Sequence, residues 1–179
     1  MNGIVSLLAA EQYRIVEALW SELESRYGVR GVYVTPYPHF SYQVAEAYDI
    51  DRLAVILARF AAAHRPLSVR TSGLAVFTGQ KPVLYIPVVR DASLSAFQLE
   101  LWNASAGAAS GLERYYEPER WVPHITIGFG DMNADIIGTV VRELSGRSFD
   151  WEFRVDHVAF IRATDGTHAL ESRFNLGAA

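Results

Sequence analysis

Two short stretches of this chain share one form, and any fold it adopts must accommodate both. Pro38-His39-Phe40-Ser41-Tyr42 and Pro123-His124-Ile125-Thr126-Ile127 each read proline, histidine, any residue, small hydroxyl, apolar, and they stand 85 positions apart (124 − 39). With 5 His, 7 Pro and 20 Ser plus Thr in 179 residues, random ordering gives two such matches with odds of about two in ten thousand. In a strand, residues i and i+2 share a face. His39 and Ser41 therefore point one way, as do His124 and Thr126, while Phe40, Tyr42, Ile125 and Ile127 turn into a core.

The order of elements repeats around these motifs. Residues 2–8 form a short apolar strand, and 10–27 an amphipathic helix with Val16, Leu19, Leu23 and Tyr27 on one stripe and Gly28 to end it. The first motif opens a strand over 39–45, since proline is tolerated where no ladder donor is lost. A helix capped by Asp49 runs to Ala63, and 67–77 is a strand. A turn at 78–81 leads to the strand 82–89. A helix capped by Asp91 or Ser93 runs to Ala106, and a Gly/Ala/Ser-rich passage and the segment 114–121 form a loop. The second motif opens the next strand. A helix capped by Asp131 or Asn133 ends at Leu144, before Gly146, and strands over 149–162 and 168–176 close the chain around Asp165-Gly166. The reading is an α+β fold over 1–179, a single domain with two duplicated lobes at about 1–79 and 82–179. Each lobe is an antiparallel-rich sheet with helices on its outer face, and a pseudo-twofold cleft between them brings His39 and His124 together.

Two opposed imidazoles suit a displacement in which one takes a proton from the attacking group and the other gives one to the leaving oxygen. Their ordinary pKa lets both forms coexist near neutrality. Ser41 and Thr126 can donate hydrogen bonds to the non-bridging oxygens of a phosphate lying between them. Other chemistries fail on residue type. The chain has no cysteine, which removes thiol nucleophiles and zinc–thiolate sites. It has no H-E-x-x-H cluster, no nucleophile elbow and no glycine-rich phosphate loop, and no metal is required. A net charge of −4 argues against long DNA or RNA, which calls for a basic face. No run is long enough to span a membrane, no signal peptide is evident, and the lack of cysteine fits a reducing cytoplasm; a cytoplasmic monomer is expected.

Paired His-x-[Ser/Thr]-x motifs in a duplicated α/β chain resemble the two-histidine (2H) phosphoesterase superfamily, whose members include RNA 2′,3′-cyclic phosphodiesterases, also called 2′-5′ RNA ligases. The resemblance spans nearly the whole chain in element order. It implies metal-independent and cofactor-free phosphodiester chemistry, with His39 and His124 catalytic and Ser41 and Thr126 on the phosphate. The substrate expected is a 2′,3′-cyclic phosphate on a nucleotide or RNA end, with 2′-5′ ligation as the same chemistry run with a 5′-hydroxyl. The first motif departs from the family by carrying serine where threonine is commoner. The alternative is a non-catalytic module that binds a nucleotide or RNA end in the same cleft.

Phe77, Tyr85, Arg120 and Arg162 are further candidates for the pocket, since they lie beside the motif strands. The segment 114–121 offers a base a stacking surface and a phosphate Arg120, or else packs its rings on the core. His64 falls at a helix C-terminus, where the dipole favours an imidazolium. His168 follows a turn and is expected to be exposed. His157 reads as structural, or as lining the cleft.

Overall fold

A computed structural model describes residues 1–177. Its elements in order are β1 (Asn2–Leu7), α1 (Ala10–Tyr27), β2 (His39–Tyr48), α2 (Ile50–Ala63), β3 (Leu67–Arg70), β4 (Ala75–Phe77) and β5 (Val83–Pro87). There follow α3 (Ala92–Ser105), β6 (Ala109–Leu112), β7 (His124–Gly128), α4 (Ala134–Leu144), β8 (Glu152–Val155), β9 (His157–Ala163) and β10 (His168–Asn175). The helices start where the sequence places acceptors for orphan N–H groups. Asp49, Asp91 and Asn133 accept from Arg52 N, Leu94 N and Ile136 N at 3.1, 2.8 and 2.9 Å. Asn133 rather than Asp131 is therefore the cap of α4, and the Asp131 carboxylate is free for another partner.

All strand pairs are antiparallel. One sheet has the order β10-β9-β1-β2-β6; β4-β5-β7 and β3-β8 form the others. With four helices against these sheets, the chain is α+β. The strand expected over 67–77 is bent rather than continuous. Gly73 breaks it with a φ of +64°, a left-handed conformation that side chains with a Cβ disfavour. Its first part pairs with β8 and its second with β5. Hydrogen bonds from Ser72 N to Pro87 O and from Val89 N to Arg70 O carry the bend along β5, so β8, β3, β4, β5 and β7 make one curved layer.

The division of the chain at 79–82 does not coincide with either layer. The five-stranded sheet takes β1 and β2 from the first half but β6, β9 and β10 from the second. Helices are exchanged too: α1 packs on β7, whereas α3 reaches β2 and α2 covers β9 and β10. The physical reason is that β1 has two edges. β2 fills one, and the C-terminal hairpin, expected as an appendage, fills the other. β6 also forms within the passage expected as loop, against Ala45–Tyr48 of β2.

One apolar core runs between the layers, built from Leu19, Trp20, Phe40, Tyr42, Leu57, Leu94, Trp121, Ile125 and Phe160 among others. On its outside, α1 is held to α4 by Arg26 and Tyr27, which bond the two oxygens of Glu143, each at 2.6 Å. No helix among the described residues is long and apolar enough to cross a membrane.

Candidate active site

The two motif strands match in geometry, not only in sequence. Phe40, Tyr42, Ile125 and Ile127 are fully buried, which leaves the histidines and hydroxyls on the opposite face. The carbonyl of each motif proline continues the ladder with the neighbouring strand, Pro38 O accepting from Leu8 N at 3.1 Å and Pro123 O from Val88 N at 3.0 Å. Each histidine turns Nδ1 onto the carbonyl two residues back, His39 onto Tyr37 O at 2.5 Å and His124 onto Val122 O at 2.7 Å. A carbonyl can only accept, so Nδ1 carries the proton in both rings and Nε2 is the nitrogen left to exchange protons.

The correspondence continues past the hydroxyl. Pairing with β1 skips Tyr42, and pairing of β7 with β5 skips Ile127. Both strands therefore bulge at the fifth motif position. Such bulges bend and twist a strand and re-aim its side chains; here they turn Tyr42 with Gln43, and Ile127 with Gly128, successively inward. Beside each bulge a tryptophan indole closes an open strand edge. Trp121 Nε1 donates to Ser41 O at 2.8 Å, and Trp20 Nε1 to Thr126 O at 3.1 Å. The donors cross over: the tryptophan before the second motif serves the first, and the one in α1 serves the second.

β2 and β7 are neighbours, and His39, Ser41, His124 and Thr126 all line one cavity of about 930 Å³. Phe77 and Arg120 line it as well, with Lys81, Tyr115, Tyr116, Phe129 and His168. Tyr85 does not. Its register opposite Thr126 puts it on the right face, but Phe77 stacks over it at 4.1 Å and His124 meets it edge-on at 5.3 Å. It is a floor beneath the site. Arg162 is also outside the cavity: alternation on β9 turns Ile161 toward it, and Arg162 pairs with Glu171 at 2.9 Å instead.

The site's electrostatics separate two histidines that the sequence leaves equivalent. Burial pushes the His39 imidazole down to about 4, the bond to Tyr37 O opposes this, and the nearby His124 and His168 push it further down. Burial also lowers His124, against the bond to Val122 O. Tyr116 moves the other way, up to about 12, through burial and the nearby Glu113.

Of the remaining histidines, His168 departs from the expectation of a merely exposed side chain. It lines the cavity, with Nδ1 2.9 Å from Val34 O and Nε2 2.9 Å from Met1 O. His157 is buried outside the cavity. Its Nε2 accepts from Leu7 N at 3.1 Å and its Nδ1–H donates to Asp156 at 2.7 Å, so it is held neutral behind the first motif, and burial lowers its pKa. His64 donates from Nδ1 to Phe60 O and stacks on Phe60, at a helix end as expected.

One end of the cavity is fixed by a cross-link that the sequence does not reveal. The Asp131 carboxylate, after β7, accepts from Arg30 N at 2.6 Å and Gly31 N at 3.0 Å, before β2. The approach is so close that a Cβ on Gly31 would lie 1.8 Å from Phe129 O. Lys81 and Tyr116 also escape sequence reasoning, because nothing in their spacing marks them; the two-arginine, three-aromatic composition of 114–121 is the sole signal for the latter. Among the described residues no three His, Asp or Glu side chains cluster so as to hold a metal ion.

A family model described as the 2′-5′ RNA ligase superfamily matches residues 9–167. Solved structures similar to this chain include TT0787 of Thermus thermophilus, with 18% identity, a TM-score of 0.62, and coverage of 99% of each chain. Another is LigT of E. coli, solved as a complex with NADP+, with 11% identity, a TM-score of 0.59, and coverage of 99% of this chain and 97% of that one. A third is a protein described as a phosphoesterase, with 11% identity, a TM-score of 0.56, and coverage of 99% and 98%. At these identities the structures speak for a shared fold. No curated protein matches the chain in sequence.

Proposed function

The chain belongs to the 2′-5′ RNA ligase superfamily, and from that premise we propose that it is a metal-independent phosphodiesterase that opens 2′,3′-cyclic phosphates of nucleotides or RNA ends. The observation that carries the reading is the convergence of two Nδ1-anchored imidazoles and two hydroxyls on one cavity. Binding a phosphate would need donors alone, whereas this set adds two nitrogens able to exchange protons.

The unequal histidines give the reaction a direction. His39, which burial pushes down to about 4, is the neutral base: its Nε2 takes a proton from water as the water oxygen bonds to phosphorus. His124, protonated, gives its Nε2 proton to the ribose oxygen that leaves from the opposite side. Ser41 and Thr126 donate to the non-bridging oxygens. One P–O bond forms and one breaks, His39 ends protonated and His124 neutral, and exchange with solvent restores both. With a 5′-hydroxyl in place of water as the attacking group, the same steps would join two ends.

The test is hydrolysis of 2′,3′-cyclic nucleotides and cyclic-phosphate RNA ends with EDTA present. Turnover with a bell-shaped pH profile is expected. Binding of these ligands without turnover would replace the enzyme by a nucleotide-binding module.

A further inference from the structure

The first motif is supported from a second strand, whereas β7 is the edge of its sheet. The main-chain ladder between β1 and β9 ends at Val5 opposite Ala159. Two residues further along β1, Leu7 N donates to the imidazole Nε2 of His157, the first residue of β9, at 3.1 Å. A side chain thus stands where the next ladder carbonyl would be. The main-chain carbonyl of His157 holds a second point, accepting from Ser6 Oγ at 2.6 Å. With the Ser6 proton engaged there, the Tyr42 phenol donates to Ser6 Oγ at 2.9 Å.

Both points adjoin residues of the site. Leu7 is the register partner of His39, and Leu7 and Tyr37 pack on the same small cluster of Val5, Ala159 and Ile161. The Tyr37 carbonyl is the acceptor that orients the His39 ring. Tyr42 is the bulged residue that follows Ser41. His157 is itself buried, and its tautomer is determined. Nδ1–H faces the Asp156 carboxylate at 2.7 Å, which leaves the Nε2 lone pair for Leu7. Arg173 of β10 reaches the same carboxylate at 3.3 Å. Asp156 and Arg173 are the charged groups that act on the ring; β1 presents Ser6 and, through it, β2 the Tyr42 phenol. A proton on Nε2 would set two N–H groups against each other, so the Leu7 bond and an imidazolium exclude one another.

We propose that His157 is a positioning residue for the first half of the site: by accepting from Leu7 N, its imidazole holds the end of β1 and the cluster on which Tyr37 rests, and so fixes the direction in which His39 presents Nε2. The inference rests on the phosphodiesterase reading above. Burial lowers the pKa of His157, which keeps the acceptor in place at neutral pH. Protonation removes it, and the His39 ring then loses its alignment. Acid therefore acts on this half twice, on the base itself and on what holds the base.

The test compares His157→Gln, whose amide oxygen can accept from Leu7 N and does not titrate, with His157→Leu, which leaves that N–H unpaired. With adenosine 2′,3′-cyclic phosphate under EDTA, His157→Leu lowers kcat by about tenfold with KM little changed, and His157→Gln stays within about threefold of the wild type. The acid limb of the kcat profile moves to lower pH by about half a unit or more in His157→Gln. A kcat of His157→Leu equal to that of the wild type, or an acid limb that does not move in His157→Gln, overturns the proposal. If the wild type shows no turnover, the enzyme reading fails separately; in that case, or if His157→Leu does not fold, NMR of the wild type and of His157→Gln decides. On acidification the Leu7 amide and His39 ring signals of the wild type shift together, in a step that is absent from His157→Gln. A His39 response that is the same in both proteins rejects the positioning role.

Discussion

The two halves of the site are built to one plan and set in different surroundings. The proline carbonyl, the Nδ1 anchor, the bulge and the indole cap recur at the same motif positions on β2 and β7. Around them the halves diverge. His39 lies on an inner strand of a five-stranded sheet, with His168 of the same sheet lining the cavity too and the neutral His157 bonded to its neighbouring strand. His124 sits on a strand paired on one side, and its ring meets Phe77 and Tyr85 edge-on at 4.9 and 5.3 Å. A repeated strand plan thus supplies matching geometry, while the surroundings of the two imidazoles differ; under the proposed mechanism that difference is what would divide the acid and base roles.

The largest effects should come from removing either half outright. His39→Ala and His124→Ala are each expected to lower kcat by about 10³-fold while the fold is kept; a fast variant of either would end the pairing. The inequality of the halves predicts the pH profile of kcat/KM. His39 must be neutral, which it is above about 4. His124 must be protonated, which requires a pH below a value itself lowered from 6.5. The optimum therefore lies on the acidic side of 6.5, and an optimum above about pH 7.5 would reverse or abolish the assignment.

The indole caps give the next test. Trp121→Phe keeps the buried ring but leaves Ser41 O unpaired, at a loss of about 1–3 kcal/mol in urea unfolding. Trp20→Phe, from the longer of the two bonds, should lose less. Equal losses would mean that the halves share more of their support than their surroundings suggest.

Stability should also fall in acid. His39, His124 and His157 all have pKa values below 6.5 in the fold. Their contribution is complete above 6.5 and is lost as pH falls from there toward about 4, because the unfolded chain binds the protons first. Thermal melting at about pH 7.5 and about pH 5 measures this, and a Tm that rises on acidification would contradict it. Smallest of all, Phe77→Ala should hydrate His124 and move the alkaline limb of the profile upward by about half a pH unit, with the acid limb unmoved.

Much of this is legible in the chain. The Pro-His-x-[Ser/Thr]-apolar echo marks the four central residues and their faces, since alternation in a strand is local. Caps at Asp49 and Asn133 are readable for the same reason. What escapes is non-local. Nothing in Phe149–Arg162 says that β9 will pair with β1, so lobes drawn from the sequence follow the chain rather than cross it. Tyr85 and Phe77 follow the same parity, and only the stacking of one over the other decides which meets the cavity. The bulges at Tyr42 and Ile127 depend on partner strands, and the cross-link from Asp131 to Gly31 depends on a contact between chain segments 100 residues apart.

The exchange of strands between halves has a consequence for how the chain acquires its structure. β1 is a central strand, and one of its edges waits for β9, since Gly3 pairs with Ile161. Contacts of such sequence separation slow folding, because the entropy of a long loop must be lost before the pairing rewards it. An N-terminal segment ending near residue 79 would hold His39 and Ser41 but lack β6, β9 and β10. During synthesis one edge of β1 stays unpaired until almost the last strands emerge, which leaves the early chain open to non-native strand pairing. The chain therefore cannot be cut near residue 80 into two self-sufficient halves: each half holds strands of the other's sheet.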